Sequence, residues 1–444
     1  MPNLLDSFSL MAEDSLAERP WSDMDSLFMA TLCYNRFGDP VRSREGMTMR
    51  ELAGAADLSP WAHLPYMKER EELFRRMAAG RRFGNARVSH YVDIVDNELP
   101  MQFSAVLVRL EDGPAVVCYR GTDNTLTGWR EDLYMSFETP VPGQTAACGY
   151  LSLIARDTEA PLILTGHSKG GNLAFYAAVT APETLRSRIL GAWSFDGPGL
   201  DDEMVVSPAY IAMEPRLHSV VPQGSIIGVL KTQQERVRRV LSTARGIRQH
   251  DVFSWQTEGA DFVAADRSSV SSRLTDVTME AFLKECTPEQ RHIVVDAVFD
   301  VLDATEARTM TELKSNKKDA VARIAQAAAK MDPKTYQAFL PVAGALLESG
   351  ALGIRDVVGD SAAASRLKGL GEQLADTPLA GLVRDVQEQA GLRVQRLLQE
   401  TQESAAPLLR SLTKGATELR DRLTDTMQQA VKPKDGKEPT HGNE

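Results

Sequence analysis

The feature that most narrows the fold is residues 161–180, where an apolar run, a glycine-rich turn and a helix follow one another without a gap. Pro161-Leu162-Ile163-Leu164-Thr165 is short and unbroken, as expected of a strand buried on both faces. Gly166-His167-Ser168-Lys169-Gly170-Gly171 then places small residues where the chain must turn sharply, and residues 171–180 have a helical composition. A strand, a tight turn and a helix in that order predict a crossover unit, and with it an α/β class built on parallel strands.

The flanking sequence extends this pattern. Residues 90–95 and 103–110 alternate or run apolar, Glu111-Asp112-Gly113-Pro114 is a turn, and Ala115-Val116-Val117-Cys118-Tyr119 reads as a third strand. These three predict an antiparallel meander ahead of the parallel part. Ala192-Trp193-Ser194-Phe195 and Leu217-His218-Ser219-Val220-Val221, closed by Pro222, are the later strands. The expected product is a mixed, mostly parallel sheet with helices on both faces and ligands at the carboxyl ends of its strands.

Beyond about residue 270 the strand signals vanish. Thr287, Pro288 and Gln290 suit the cap, first turn and capping-box positions of a helix. Farther on, Leu408, Leu412, Ala416, Leu419, Leu423, Met427 and Val431 recur at helical spacing. The 444 residues thus divide into a mixed α/β part at 1–265, a helical region at 266–355, an amphipathic helical tail at 356–432 and a polar terminus at 433–444 expected to be disordered. Residues 379–431 hold seven Lys/Arg and seven Asp/Glu. That balance favours packing on the body or self-association through the C-terminal helices over a membrane-surface role.

Net charge bounds the partners. At −11, with no dense Lys/Arg block, the chain is not expected to bind nucleic acid. Cys33, Cys118, Cys148 and Cys286 are widely separated and read as buried free thiols, with no metal-spaced pair. Neither a metal nor another cofactor is expected. The first twenty residues carry Asp6, Glu13, Asp14 and Glu18 and no apolar core, so no secretory signal is read there and a cytoplasmic location is expected. The apolar stretch from Phe339 to Ile354 is too short and too interrupted to span a bilayer.

Residues 166–170 fit G-x-S-x-G, the turn that lifts a nucleophilic serine clear of a sheet. Common by itself, the pattern gains weight from the strand before it and the helix after it. Ser168 is the candidate nucleophile, and the N-terminus of the following helix favours negative charge developing beside it. The backbone N–H of Lys169 would form half of an oxyanion hole. Tyr119-Arg120-Gly121-Thr122-Asp123, at the end of the third strand, is placed to supply the other half through the N–H or hydroxyl of Thr122.

Cys-Tyr-Arg-Gly-Thr-Asp at 118–123 and Thr-Gly-Trp-Arg-Glu-Asp-Leu at 127–133 resemble the strand and lid-side helix of class 3 lipases. Gly-His-Ser-Lys-Gly-Gly-Asn at 166–172 resembles their nucleophile turn. The segments at 194–199, 221–228 and 249–255 resemble a narrower group, a largely uncharacterised bacterial family of lipase-like α/β-hydrolases carried as a domain of unknown function. The resemblance covers about residues 1–265 and extends less sharply into 275–315. It implies an α/β-hydrolase fold, a serine-hydrolase site and a lipid-like or other acyl-bearing substrate.

A triad in this fold runs nucleophile, acid, histidine along the chain. His218, His250, His292 and His441 follow Ser168. His441 lies in the tail, His292 in a later helix and His218 inside a strand-like run, which leaves His250 as the expected base. Class 3 lipases usually carry the acid in an Asp-x-Val-Pro turn, where this chain has Ser219-Val220-Val221-Pro222. Asp196, at the end of the preceding strand, is the expected substitute. Asp201 and Asp202 are alternatives that suit a helix start, and Asp251 adjoins His250 too closely to orient its ring. The rival reading is a catalytically quiet scaffold whose helical half binds a protein partner.

Overall fold

A computed structural model of the chain describes residues 2–55, 66–111, 113–225, 227–228, 231, 237–265, 288–303 and 305–315. All of them lie in one compact unit, Met1–Gly353. The expected tail at 356–432 and terminus at 433–444 lie outside the described residues, as do Cys286 and His441.

Two short helices open the chain, α1 (Leu4–Met11) and α2 (Asp23–Leu32). Each starts on a capping box, Asn3 with Asp6 and Ser22 with Asp25, so the chain's first polar residues satisfy free backbone N–H groups. Nearly all of α2 is buried, because it is apolar around most of its circumference and lies under the sheet. Its Asp25 is fully buried and paired with both Arg82 Nε and Nη2, at 2.6 and 2.9 Å. A short strand β1 (Met47–Thr48) and helices α3 (Met49–Ala55) and α4 (Met67–Ala79) complete the N-terminal layer.

The sheet follows chain order through eight strands. Strands β2 (Arg87–Asp96), β3 (Met101–Arg109) and β4 (Ala115–Tyr119) form the antiparallel meander read from the sequence. From β4 onward the pairing is parallel, through β5 (Leu162–His167), β6 (Ile189–Phe195), β7 (Leu217–Pro222) and β8 (Val237–Val240). The crossovers are made by α5 (Leu126–Met135) and α6 (Pro142–Asp157), by α7 (Lys169–Thr180) and α8 (Glu183–Arg186), and by α9 (Asp202–Val205) and α10 (Pro208–Met213).

Two details depart from the sequence reading. The register of β2 shifts between Ser89 and Val92, and His90 sits there at φ +56°, so a bulge interrupts the simple alternation expected over 90–95. Strand β8 was not anticipated, since Val237-Arg238-Arg239-Val240 carries two charges in four residues. Arg238 pairs with Asp23 and Asp261 at 2.9 and 2.7 Å, which lets a charged edge strand close this side of the sheet. Of the described cysteines, Cys33 and Cys118 are buried and free, whereas the free Cys148 is half-exposed.

Alternation along β5 assigns the two faces. Thr165 donates its hydroxyl to Ser26 O of α2 at 2.9 Å, on the face where Ile163 joins the core of α1, α2 and α4. The intervening Gly166 faces α7 so closely that a Cβ would lie 2.2 Å from Gly170 C and O. Helices therefore cover both faces, and the ends of β4 to β7 open at one edge. The helices Pro288–Asp303 and Met310–Ser315 follow, the first packed on α5.

Candidate active site

Ser168 occupies the turn between β5 and α7 at φ +59°, ψ −134°, a backbone region that non-glycine residues rarely enter. Strain of this kind costs about 1–3 kcal/mol and persists only where its surroundings impose it. Here Ser168 N–H donates to Phe195 O and Gly171 N–H to Ser168 O, both at 2.9 Å. The motif glycines are dictated by backbone approach: a Cβ on Gly170 would stand 2.2 Å from Tyr119 O. Close packing of the β4 end over the turn is thus built into the pattern.

That approach brings the 119–123 segment beside Ser168. A Cβ on Gly121 would meet Ser168 Cβ at 3.0 Å and His167 O at 2.6 Å. The Thr122 hydroxyl donates to Asp132 Oδ2, leaving its N–H as the donor not committed within the described backbone. Lys169, as the first residue of α7, has no intrahelical acceptor for its own N–H. Its side chain runs away into the core: Nζ donates to Gln102 O and to Glu131 Oε2, both at 2.8 Å, and is almost fully buried.

Glu131 and Asp132, neighbours on α5, were not singled out by sequence reasoning. Glu131 also accepts from Gln102 N–H and Gly143 N–H at 3.0 and 2.6 Å, so it ties β3, α6 and α7 together. Asp132 has its pKa pushed up to about 6, chiefly by burial, against the opposing pull of Lys169 and the hydrogen bond from Thr122. Its Oδ1 is shielded and has no hydrogen-bond partner among the described residues. The available signal was the polar Glu-Asp pair inside an otherwise packed crossover helix.

Asp196 and His250 meet directly. Asp196 directly follows β6 at φ +51°, is 1% exposed, and lies 2.7 Å through Oδ2 from His250 Nδ1. Its Oδ1 accepts from the Ser225 hydroxyl and from Gly228 N–H, the latter at 3.2 Å, which turns the other oxygen toward the histidine. His250 closes a 3-10 turn, Gly246–His250, and its side chain is about a quarter exposed. Ser168 and His250 make no direct hydrogen bond. His167 lies against His250: its ring is 4.5 Å from that of His250, centroid to centroid, and its Nε2 is 2.7 Å from His250 O.

The other candidates are occupied elsewhere. His218 stacks on Trp193 at 4.3 Å, at the far end of β7 from the strand ends, and burial lowers its pKa. His292 packs against Tyr134 and Phe137 on the surface of α5. Asp201 pairs with Lys231 at 2.7 Å, and Asp202 opens α9. Asp251 caps the next short turn and pairs with Arg70 at 2.8 Å. Where the class 3 pattern would hold Asp-x-Val-Pro, Ser219 is buried with its hydroxyl unpartnered among the described residues. No cluster of three or more His, Cys, Asp or Glu is arranged for a metal among the described residues.

A mixed sheet with a strained serine turn at the end of its central strand, and an acid–histidine pair at the same edge, defines a lipase/esterase-like α/β-hydrolase fold. The family model for Mbeg1-like proteins matches residues 77–300, just over half of the 444, and the chain belongs to that family. Among solved structures, the crystal structure of M37 lipase is similar over 47% of this chain and 69% of its own, at 12% identity and a TM-score of 0.31. A search of curated proteins finds no relative. No described helix is long and apolar enough to cross a membrane.

Proposed function

We propose that the protein is a serine hydrolase that cleaves an ester or thioester through an acyl-enzyme on Ser168. The observation that carries this reading is the 2.7 Å contact between Asp196 and His250 beside a serine at φ +59°. With Asp196 accepting at Nδ1, the imidazole of His250 keeps Nε2 free to take the Ser168 proton. Attack on the acyl carbonyl then places negative charge near the N–H groups of Thr122 and Lys169. His250 returns the proton to the leaving alcohol or thiol, and a water activated the same way releases the acid. A lipid-like or other acyl-bearing small molecule is the proposed substrate class, on the strength of the family's lipase-like character.

Labelling with a fluorophosphonate probe tests the reading. Wild type and His218→Phe should be labelled at Ser168, Ser168→Ala not at all, and His250→Ala far more slowly. Absence of Ser168-dependent labelling in folded wild type would favour the catalytically quiet scaffold instead.

A further inference from the structure

His167 is almost fully buried beside Ser168, and the mechanism above gives it no task. Its Nε2 faces the carbonyl oxygen of His250 at 2.7 Å, and a carbonyl only accepts, so the proton of His167 is on Nε2. Its Nδ1 must then be the acceptor, and the Tyr34 hydroxyl lies 2.9 Å from it as the donor. Burial, helped by the nearby His250, holds the His167 pKa well below that of an ordinary histidine, and burial also raises that of Tyr34. Both groups therefore stay neutral, and the polarity of the chain is fixed from Tyr34 to His167 to the main chain of His250.

The frame behind this chain is tied by Arg70. Arg70 of α4 lies over the rings of Tyr34 and Phe253, at 5.2 and 4.9 Å, and pairs with Asp251 next to His250. The turn that carries His250 is otherwise a short 3-10 element, whose hydrogen-bond geometry is poorer than that of an α-helix.

We propose that His167 and Tyr34 are positioning residues, a neutral tether that holds the main chain of His250 while Asp196 holds its ring. The inference rests on His250 being the base of the proposed hydrolase. Asp196 alone fixes one nitrogen and leaves the ring free to swing about that contact; the second hold on the backbone carbonyl removes that freedom. The residue before the nucleophile thereby sets the place of a base that lies 83 positions later.

The test compares His167→Phe, which keeps ring and volume without the donor, with His167→Gln, whose amide restores an N–H at the same reach, and with Tyr34→Phe. Maximal fluorophosphonate labelling at Ser168 should fall about ten- to a hundredfold in His167→Phe, as for other small misplacements of a reacting group. The half-saturating probe concentration should stay unchanged, and His167→Gln should recover most of the rate. Nitrogen-15 spectra should show His167 protonated at Nε2 in wild type, and the same tautomer in Tyr34→Phe with its Nδ1 resonance displaced by loss of the hydrogen bond from Tyr34. Labelling of His167→Phe at the wild-type rate, or a wild-type His167 protonated at Nδ1, overturns the tether. Wild type that is not labelled at all overturns the hydrolase reading, while the spectra still decide whether the tether exists.

Discussion

The buried side chain of Lys169 offers a sharp separation of structure from chemistry. In Lys169→Met the chain keeps its length and its backbone N–H but loses the ammonium held 2.8 Å from Glu131. Both side chains of that pair are essentially without solvent contact. Breaking such a pair from one side typically costs about 3–5 kcal/mol, because the remaining charge is left buried. Glu131 keeps two backbone donors, Gln102 N–H and Gly143 N–H, which places the expected loss near the lower end, about 3 kcal/mol. For a body of this size that corresponds to a fall of roughly 4–5 °C in melting temperature. Glu131→Gln in the same chain removes the stranded charge and should restore most of the loss, whereas Glu131→Gln alone strands the lysine and should destabilise. Thermal unfolding of the four proteins measures the cycle. Labelling at a temperature where all are folded should show Lys169→Met reacting at the wild-type rate, since the oxyanion donor is the main-chain N–H. A melting temperature unchanged by Lys169→Met, or a folded variant that has lost labelling, would refute this division of roles.

Asp196→Asn should lower the labelling rate by about three to four orders of magnitude, through a wrongly held imidazole tautomer. An unaltered rate would assign the acid elsewhere. Asp132 has a folded pKa near 6, above its ordinary value of 3.8, so the folded state binds its proton more tightly than the unfolded chain does. Its ionisation therefore weakens the fold as pH rises from about 4 to about 6, and the deficit stays constant above that range. Asp132→Asn should accordingly gain stability relative to wild type across that interval, by up to about 3 kcal/mol at pH 7.5. Unfolding curves at pH 4.5 and 7.5 would show the difference, and equal offsets at both would contradict it.

Much of the fold was legible because its signals are local. The apolar run of β5, the glycines of the turn and the helical composition of α7 all sit within 161–180, and each glycine answers a backbone contact a few residues or one strand away. The meander was legible for the same reason, since alternation and a Gly-Pro turn are properties of neighbouring residues. The bulge at His90 was not, because register depends on the partner strand. Nor was β8, whose two arginines interrupt any apolar strand pattern and of which Arg238 finds a counter-charge in Asp23, 215 positions away.

The sequence by itself determined that a serine stands at a strand–helix turn, with Asp196 at a strand end and His250 in a later loop. Those are placements along the chain, set by steric and periodic constraints of short range. Only the tertiary structure decided that Asp196 and His250, 54 positions apart, touch, that Ser225 and Gly228 aim the acid, and that Lys169 points into the core. It alone joined Tyr34 to His167 across 133 positions. Such contacts depend on which surfaces pack together once loops have closed, and no local pattern of residues encodes that geometry.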